Sequence, residues 1–357
     1  MSVKNAILCL FAAVCMPMAG YAATVETARS DMSVPAEIAV LLPGNAYDNG
    51  FMEAGYRGYQ RIAQHITTNI QCVSDVSATS DAAVLTAELQ KLAQQGPKLI
   101  IAHGGQMNEP VSIVSKEFSQ IQFAVIQGNV KGLNVSSYTV DQEQSAFLAG
   151  ALAGYMTKSG KVGHISGAWP KPGLQARAAF YDGLMYANPK AQFYSTFTGN
   201  LDDKAINGTA AKAQIQAGCD IIYTMLNGGR GGVTDVISQT KGSVKEIGNV
   251  MDWTTQSPVF IGSAVADSSE AVFSAARDYT SGVFTDGRII EIGLENPAIV
   301  RLAVSKDVPA AVVEKMTALQ KKVLSGEVTI HIVYTGQEFD PVHNIFVSQE
   351  VKNQKKK

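Results

Sequence analysis

One short segment, residues 38–58, constrains the fold of this chain more than any other. Apolar residues at 38–42 have the length and branching of a buried strand. A break at 43–45 and a polar turn follow, and from Phe51 onward the apolar residues recur with helical spacing. Strand, turn and helix in this order form the first half of a βαβ unit. In an open parallel sheet such a turn lies at the carboxyl edge, where ligands bind.

The same alternation continues through two successive blocks of the chain and weakens beyond residue 258. The first block predicts strands at 38–42, 70–76, 99–102, 122–126 and 135–140, and helices from 51, at 82–93, 109–117 and 142–156. The second predicts strands at 161–165, 191–197, 220–226 and 244–247, with helices at 174–187, 205–216 and after 232. A short extended stretch at 259–262, helices at 268–280 and 309–324, and an edge strand at 329–334 complete the pattern.

Strands that alternate with helices twice over predict an α/β protein with two doubly wound, Rossmann-like lobes. We assign residues 36–140 and about 262–300 to the N-terminal lobe. Residues 141–261 and about 301–341 belong to the C-terminal lobe, and 342–357 to a tail. Because the last third is expected to return to the first lobe, several crossings would join the lobes and form a hinge.

The first residues are predicted to be a signal peptide at 1–22. Lys4 supplies a positive charge, an apolar stretch too short to span a membrane follows, and small residues end the segment. An exported, periplasmic protein is therefore expected. Cys9 and Cys15 lie in the apolar stretch and leave a lipid anchor as the alternative. The later Cys72 and Cys219 are expected to be two buried, unpaired thiols.

The charge balance excludes several function classes. The chain has 29 basic and 31 acidic residues and a formal net charge of −2, which argues against a nucleic-acid or membrane-surface role. No cysteine, histidine or acid spacing fits a zinc or calcium site. The pair Asp202-Asp203 precedes a helix and is expected to cap it. We predict no cofactor, no metal and no catalytic residue.

Unusual side chains collect just after the predicted strands. Backbone preferences of turns explain the glycines and most of the asparagines there, but they explain the aromatic residues poorly. Both tryptophans of the chain fall at this edge of the second lobe, and amphipathic rings on a concave rim suit stacking against a flat ligand. The predicted ligand-binding residues are Tyr47, Asp48, Asn49, Phe51, His103, Gln127, Trp169, Asn227, Gly228, Gly229, Asp252 and Trp253.

The glycine turn at 228–232 opens a helix and could present backbone N–H groups to an anion or a polar oxygen. It lacks the Lys-Ser/Thr of a P-loop and the spacing of a dinucleotide fingerprint. A plain tight turn is therefore the alternative. His103 could act as a base, but no serine or cysteine stands in a recognisable nucleophile turn.

These motifs, in this order, resemble the basic membrane protein (BMP) family of solute-binding proteins, of the purine-nucleoside-receptor type served by ABC importers. The resemblance runs from about residue 38 to 341. It rests on D-N-G-F with the following G-Y-R-G at 48–58, and on the segments at 144–167, 218–232 and 247–263. It implies a type I periplasmic binding fold that closes on its ligand and docks on an ABC permease and ATPase complex. A monomer is the simplest expectation for such a receptor.

The resemblance carries over site residues unevenly. Asp48, Asn49 and Phe51 match the first ligand-contacting turn, the glycine turn matches a loop that lies against the ligand, and Asp252 matches an acid of the family. Four positions depart from the family pattern, because acids, an aromatic residue and a lysine are common where this chain has other residues. These are Gln127, Leu201, Val250 and Ala266.

Carboxylates commonly bind the vicinal hydroxyls of a sugar, so the departures leave two ligand classes open. The first hypothesis is a receptor for a purine nucleoside, and the alternative is a nucleobase or another heterocycle. A receptor of the same fold that signals to a membrane sensor is a further alternative. An exported nucleoside-processing enzyme using Asp48, Asp252 or His103 is disfavoured by the missing metal and nucleophile patterns.

Overall fold

The computed structural model describes residues 36–76, 81–169, 171–284 and 287–348. The predicted signal peptide with Cys9 and Cys15, and the basic run at 352–357, lie outside these residues. Among the residues that are described, no helix combines the length and apolar character needed to cross a membrane.

The helices and strands alternate as the sequence predicts through most of the chain. The strands are β1 (Ile38–Leu41), β2 (Ile70–Val73), β3 (Leu99–His103), β4 (Gln122–Ile126), β5 (Val135–Val140), β6 (Lys161–Ser166), β7 (Gln192–Phe197), β8 (Ile221–Met225), β9 (Lys245–Val250), β10 (Phe260–Ala266), β11 (Ile289–Ile292), β12 (Val300–Val304), β13 (Glu338–Asp340) and β14 (Ile345–Val347). The helices are α1 (Phe51–His65), α2 (Ala82–Ala93), α3 (Asn108–Glu117), α4 (Gln142–Met156), α5 (Lys171–Ala187), α6 (Lys204–Gln216), α7 (Arg230–Ser238), α8 (Ser268–Thr280) and α9 (Ala310–Leu324).

The described strands form two sheets, each the centre of one lobe. The first is a parallel six-stranded sheet in the order β11-β5-β4-β3-β1-β2. The second has eight strands in the order β12-β10-β9-β8-β6-β7-β13-β14. It is parallel except where β12 pairs with β10 and β14 with β13. The prediction of two doubly wound lobes is confirmed.

Both faces of each sheet are covered by helices. In the first lobe, α1 and α8 contribute to the core on one face, and α2 and α3 to the core on the other. In the second lobe, α4 and α5 cover one face and α6 and α7 cover the other. Because neighbouring side chains of a strand point to opposite faces, strands buried on both sides are apolar throughout. All four residues of β1 are fully buried for this reason.

Helices α4 and α5 approach each other closely, as the small residues of α4 predicted. A Cβ added to Gly150 would lie 1.9 Å from the carbonyl oxygen of Phe180. A Cβ added to Gly183 would lie 1.9 Å from the carbonyl oxygen of Phe147. Each glycine therefore allows the backbone of the other helix to pass at a distance that no side chain permits.

The described chain crosses between the two sheets at residues 140–142, 266–268 and 292–300. The extended stretch predicted at 259–262 is the beginning of β10, which belongs to the second sheet. Part of the range assigned to the N-terminal lobe, 262–266, therefore pairs within the C-terminal lobe. The predicted tail at 342–357 also begins with ordered pairing, since it contributes β14.

The edge strand predicted at 329–334 is wrong. The backbone N–H of His331 donates to the carboxylate of Asp182 at 2.8 Å, so a helix side chain holds this segment in place of a strand ladder. Strands β13 and β14 form the sheet edge instead. Cys72 and Cys219 are both unpaired, as expected. Only Cys219 is buried, because Cys72 lies on the edge strand β2.

Candidate ligand-binding site at the carboxyl edges of the sheets

The carboxylate of Asp48 is engaged by the first turn of α1. Its Oδ1 accepts the N–H groups of Gly50 at 2.8 Å and Glu53 at 3.0 Å, and its Oδ2 accepts that of Met52 at 3.2 Å. Burial raises the pKa of Asp48, these hydrogen bonds oppose the rise, and the nearby carboxylate of Asp202 adds to it. Asp48 therefore fixes the start of α1, and contact with a ligand stays a prediction.

The neighbours of Asp48 in the turn differ in their surroundings. Tyr47 is 69% exposed, and its hydroxyl reaches that of Tyr56 at 3.3 Å while the two rings pack edge to face. Asn49 is exposed and has a left-handed backbone with φ of 56°, which asparagine tolerates better than most residues. Its N–H donates to a carboxylate oxygen of Glu53 at 3.0 Å.

Phe51 and His103 pack ring against ring at the end of β3, with centroids 4.1 Å apart. His103 is fully buried, and its Nε2 lies 3.1 Å from the hydroxyl of Ser268. Burial lowers the pKa of His103 to about 3, so the ring is neutral at pH 7. It supports Phe51 from below and offers no exposed base.

Gln127 is committed to the backbone of β5. Its Nε2 donates to the carbonyl oxygen of Val140 at 3.1 Å, and its Oε1 accepts the N–H of the same residue. The amide thus ties the end of β4 to the point where the chain leaves the first lobe. Both ends of the side chain are used within the protein.

The glycine turn of the second lobe is satisfied by its own chain. Asn227 and Gly229 both donate their N–H groups to the carbonyl oxygen of Leu201, at 3.1 and 3.0 Å. Gly228 donates its N–H to Oδ1 of Asp202 at 3.1 Å. Because these groups are already paired, the turn fits the structural alternative better than an anion site.

Asp202 and Asp203 have different roles. Asp203 caps α6, as predicted, by accepting the N–H groups of Ala205 and Ile206 at 2.8 and 3.0 Å. Asp202 instead reaches across to the glycine turn. Two adjacent acids before one helix look equivalent in the sequence, so their different roles could not be predicted from it.

Arg230 lies inside the second lobe, although its glycine neighbours suggested an exposed turn. Its Nη1 donates to the carbonyl oxygen and hydroxyl of Thr224 at 3.0 and 2.7 Å. Its Nη2 donates to the carbonyl oxygen of Leu226 and to Oδ1 of Asn249, both at 2.6 Å. Arg230 therefore joins the ends of β8 and β9. Glu246, fully buried, accepts hydroxyl hydrogen bonds beneath it from Thr224 and Thr234.

The two tryptophans are placed differently. Trp253 is half-buried against Phe260 and Arg230, and its Nε1 donates to the carbonyl oxygen of Asn249 at 3.0 Å. Trp169 is 38% exposed and stacks on Phe197 with centroids 5.2 Å apart and an angle of 20°. Trp169 presents ring surface at the carboxyl edge, whereas Trp253 serves mainly as packing.

Asp252 follows β9 in a tight turn. Its Oδ1 accepts the N–H and hydroxyl of Thr254 at 3.0 and 2.6 Å, and its Oδ2 lies 3.6 Å from Arg301. The preceding Val250 has a φ of 68°, which is unusual for a β-branched residue. The N–H of Met251 donates to the carbonyl oxygen of Asn249, so the hydrogen bond closes a turn over Val250. The turn leaves Asp252 half-exposed.

The carboxyl edges of the two lobes meet at Gly50 and Asn227. A Cβ added to Gly50 would lie 2.1 Å from Oδ1 of Asn227. The negative charge of Asp202 in the second lobe also raises the pKa of Asp48 in the first. Asp48 and Asn227 were predicted at this edge from the sequence, but Gly50 and Asp202 were not. The turn preference of glycine and the capping preference of aspartate already explained why these two residues stand where they do.

Two cavities of the described structure lie away from these edges. One of about 280 Å³ is bounded by Tyr181, Phe193 and Phe346 on the outer part of the second lobe. A groove of about 420 Å³ runs between α6 and α7. Neither contains a predicted ligand-binding residue.

Comparisons with known proteins agree with this architecture. The family model for ABC transporter substrate-binding proteins of the PnrA-like type matches residues 36–332. Basic membrane protein B of Borreliella burgdorferi is 24% identical over 324 residues, which cover 88% of this chain and 92% of that protein.

Two solved structures show the same fold. A solute-binding protein of an ABC transporter system from Aeropyrum pernix K1 superposes with a TM-score of 0.71, at 19% identity over 83% of this chain and 93% of that one. A transcriptional activator of the comK gene from Bacillus halodurans superposes with a TM-score of 0.68, at 20% identity over 82% of this chain and 99% of that one. The fold is the type I periplasmic binding fold. Because the family match spans most of the chain, this protein belongs to the PnrA-like family of ABC transporter substrate-binding proteins, whose members bind solutes and are not enzymes.

Proposed function

We propose that the protein is an exported receptor that captures a purine nucleoside or a related heterocycle between its two carboxyl edges and delivers it to an ABC importer. The observation that carries the proposal is the meeting of the edges, where Gly50 lies against Asn227 with no room for a side chain. A solute held beside this contact would touch both lobes. Its binding energy would then favour the closed form that docks on the permease and ATPase.

The side chains beside the contact suit a flat ring with hydrogen-bond donors. Trp169 is 38% exposed and stacks on Phe197, and stacking of its ring on a ligand would add about 0.5–1.5 kcal/mol beyond area burial. Phe51 lies at the opposite edge on a fixed histidine ring. Asn49 and the half-exposed Asp252 supply polar groups for the rim of the ring or for a sugar.

The charges at the contact favour a nucleoside over a nucleotide. Asp48 and Asp202 approach each other from opposite lobes, and their mutual repulsion contributes to the raised pKa of Asp48. A phosphate placed beside two carboxylates would add a like charge, which specific sites use to reject wrong ligands. A neutral ligand with N–H or O–H donors meets no such penalty.

The free nucleobase is the alternative ligand. Gln127 stands where an acid is common in the resembling family, and its amide is already bonded at both ends to Val140. Ala266 is buried at the end of β10, and Val250 is the last residue of β9. With these positions supplying no carboxylate or ammonium group, the sugar would rely on Asp252 and the turn at 48–51.

The alternative function is a receptor coupled to a sensor. It is consistent with the likeness to a transcriptional activator, a protein of the same fold that is not named as a transport component. The two functions share the ligand site and differ in the partner of the closed form. Pull-down of an importer complex by the ligand-bound protein would support transport. An exported nucleoside-processing enzyme is set aside, and incubation with nucleosides should release no free base.

The test is a thermal-shift panel on protein that has been unfolded and refolded to remove carried ligand. The panel contains nucleosides, nucleobases, nucleotides, sugars and amino acids. A ligand at a hundredfold excess over its dissociation constant should add about 2.7 kcal/mol to the free energy of unfolding. Stabilisation by nucleosides supports the proposal, and stabilisation by bases alone supports the alternative ligand. Stabilisation by sugars or amino acids only would overturn both.

A further inference from the structure

We propose that Gly50 and Asn227 form a closure contact, in which the missing side chain at residue 50 allows the lobes to shut and retain the ligand. The inference rests on the proposed binding function. It adds the residue pair that limits how far the two edges approach.

Gly50 is held firmly on the first lobe. Its N–H donates to Oδ1 of Asp48 at 2.8 Å, and its carbonyl oxygen accepts the N–H of Ala54 at 3.1 Å. It is the residue before α1, so a displacement of Gly50 would unravel the first helical turn. The turn therefore has little freedom to retreat from an obstacle.

Asn227 is held equally firmly on the second lobe. Its N–H donates to the carbonyl oxygen of Leu201 at 3.1 Å, and its carbonyl oxygen accepts the N–H of Arg230 at the same distance. The buried guanidinium of Arg230 anchors this turn to the lobe interior. Two rigid turns thus face each other across the contact.

The nearest obstacles to a side chain at residue 50 belong to the opposite lobe. The three atoms nearest to an added Cβ are Oδ1, Cγ and Cα of Asn227, at 2.1, 2.7 and 3.3 Å. The φ of Gly50 is −154°, outside the left-handed region that favours glycine. Rotation of the Asn227 amide could relieve the first two contacts, but the backbone atom at 3.3 Å leaves no room for a longer side chain.

A side chain at residue 50 should therefore hold the lobes apart without disturbing either lobe. The apparent affinity of a two-state receptor falls with the fraction of molecules that can reach the binding-competent state. Because the closed form retains the ligand, the loss should appear in the dissociation rate and leave the association rate nearly unchanged.

The test compares Gly50→Ala and Gly50→Ser with wild type and with the double variant Gly50→Ala/Asn227→Ala. Serine is a favourable residue before a helix, so Gly50→Ser should not weaken α1. Gly44→Ala is the control, and Asn227→Ala alone measures what the lost amide does to ligand binding by itself, because Asn227 is a predicted ligand-binding residue. The atoms nearest to a Cβ on Gly44 all belong to Met52 of the same lobe, so this control perturbs the same loop away from Asn227.

Three measurements are made: thermal stability without ligand, stopped-flow binding of the ligand found by the panel, and the radius of gyration by small-angle X-ray scattering. In Gly50→Ser we expect wild-type stability, a dissociation rate at least about tenfold faster and a larger radius. Gly50→Ala should show a smaller effect, because the Asn227 amide can rotate away from a single Cβ. Compared with Asn227→Ala alone, the double variant should show neither faster dissociation nor a larger radius, because the amide that obstructs residue 50 is gone.

Wild-type dissociation and radius in both Gly50 variants would overturn the inference while leaving the proposed function intact. If Gly50→Ala accelerates dissociation equally in the wild-type and Asn227→Ala backgrounds, the inference is also overturned, because the effect is then local to residue 50. If wild type binds nothing in the panel, the proposed function fails. The scattering comparison still decides whether residue 50 limits closure.

Discussion

Replacement of Asp48 by alanine should reduce stability through the first turn of α1. The structure shows three backbone N–H groups donating to its carboxylate, at 2.8, 3.0 and 3.2 Å. Loss of a single capping side chain typically costs about 0.5–2 kcal/mol. The buried position of Asp48 limits replacement of these bonds by water. We therefore expect Asp48→Ala to lower the free energy of unfolding by about 2 kcal/mol.

Asp48→Asn separates the acceptor role from the charge. An amide oxygen in the Oδ1 position keeps the bonds from Gly50 and Glu53, while an amide nitrogen in place of Oδ2 loses the bond from Met52. Because burial already disfavours the charged form of Asp48, the charge itself should add little. We expect the asparagine variant to lose less than half as much as the alanine variant.

The assay is urea unfolding followed by circular dichroism at pH 7, on ligand-free protein. Asn45→Ala is the matched control, since Asn45 accepts a single exposed N–H, that of Tyr47 at 2.7 Å. It should cost less than about 0.5 kcal/mol. Unchanged unfolding of Asp48→Ala would refute the capping role. If ligand affinity nevertheless fell in that variant, Asp48 would be a ligand contact, as the sequence alone suggested.

Three further predictions concern the second lobe. Burial raises the pKa of Glu246 to about 7; an acid with a raised folded-state pKa stabilises the fold at low pH and loses that contribution as the pH rises through 7. Glu246→Gln should therefore flatten the fall in unfolding free energy between its ordinary pKa of 4.5 and the raised value of about 7, by up to roughly 3 kcal/mol in urea titrations, and an unchanged slope would contradict it. Gly150→Ala should cost about 1–3 kcal/mol, because its Cβ would meet the carbonyl oxygen of Phe180, and an unshifted melting temperature would argue against the close approach. Trp253→Ala should lower the free energy of unfolding by about 3 kcal/mol. Trp169→Ala should mainly weaken the binding of an aromatic ligand, by about 1 kcal/mol as measured by calorimetry. The opposite result would mean that Trp253 contacts the ligand and Trp169 serves as packing.

The sequence predicts the strands and helices well where strands are buried on both faces. β4, β5 and the helices at 82–93, 142–156 and 268–280 have the predicted bounds, because continuous apolar runs and helical spacing dominate there. The last third was harder to predict. β11 to β14 are short and lie at or near sheet edges. Their side chains need not all be apolar, so they lack the continuous apolar runs by which the central strands are recognised.

The candidate site shows a different limit of sequence reasoning. A strand end can be located from the pattern, but the direction of the side chain that follows depends on packing. Trp253 and Trp169 both follow strands of the second sheet, yet one packs inward on Phe260 while the other is exposed on Phe197. Arg230 likewise points into the lobe because Thr224 and Asn249 can satisfy it there.

The proposed function requires that both carboxyl edges hold one ligand. The most direct measurement is a crystal structure of the protein with the compound that stabilises it most in the thermal-shift panel. We predict a heterocyclic ring between the turn at 48–51 and the edge that carries Trp169 and Asn227, in contact with both lobes. A ligand bound in the groove between α6 and α7, or against one lobe only, would contradict the account.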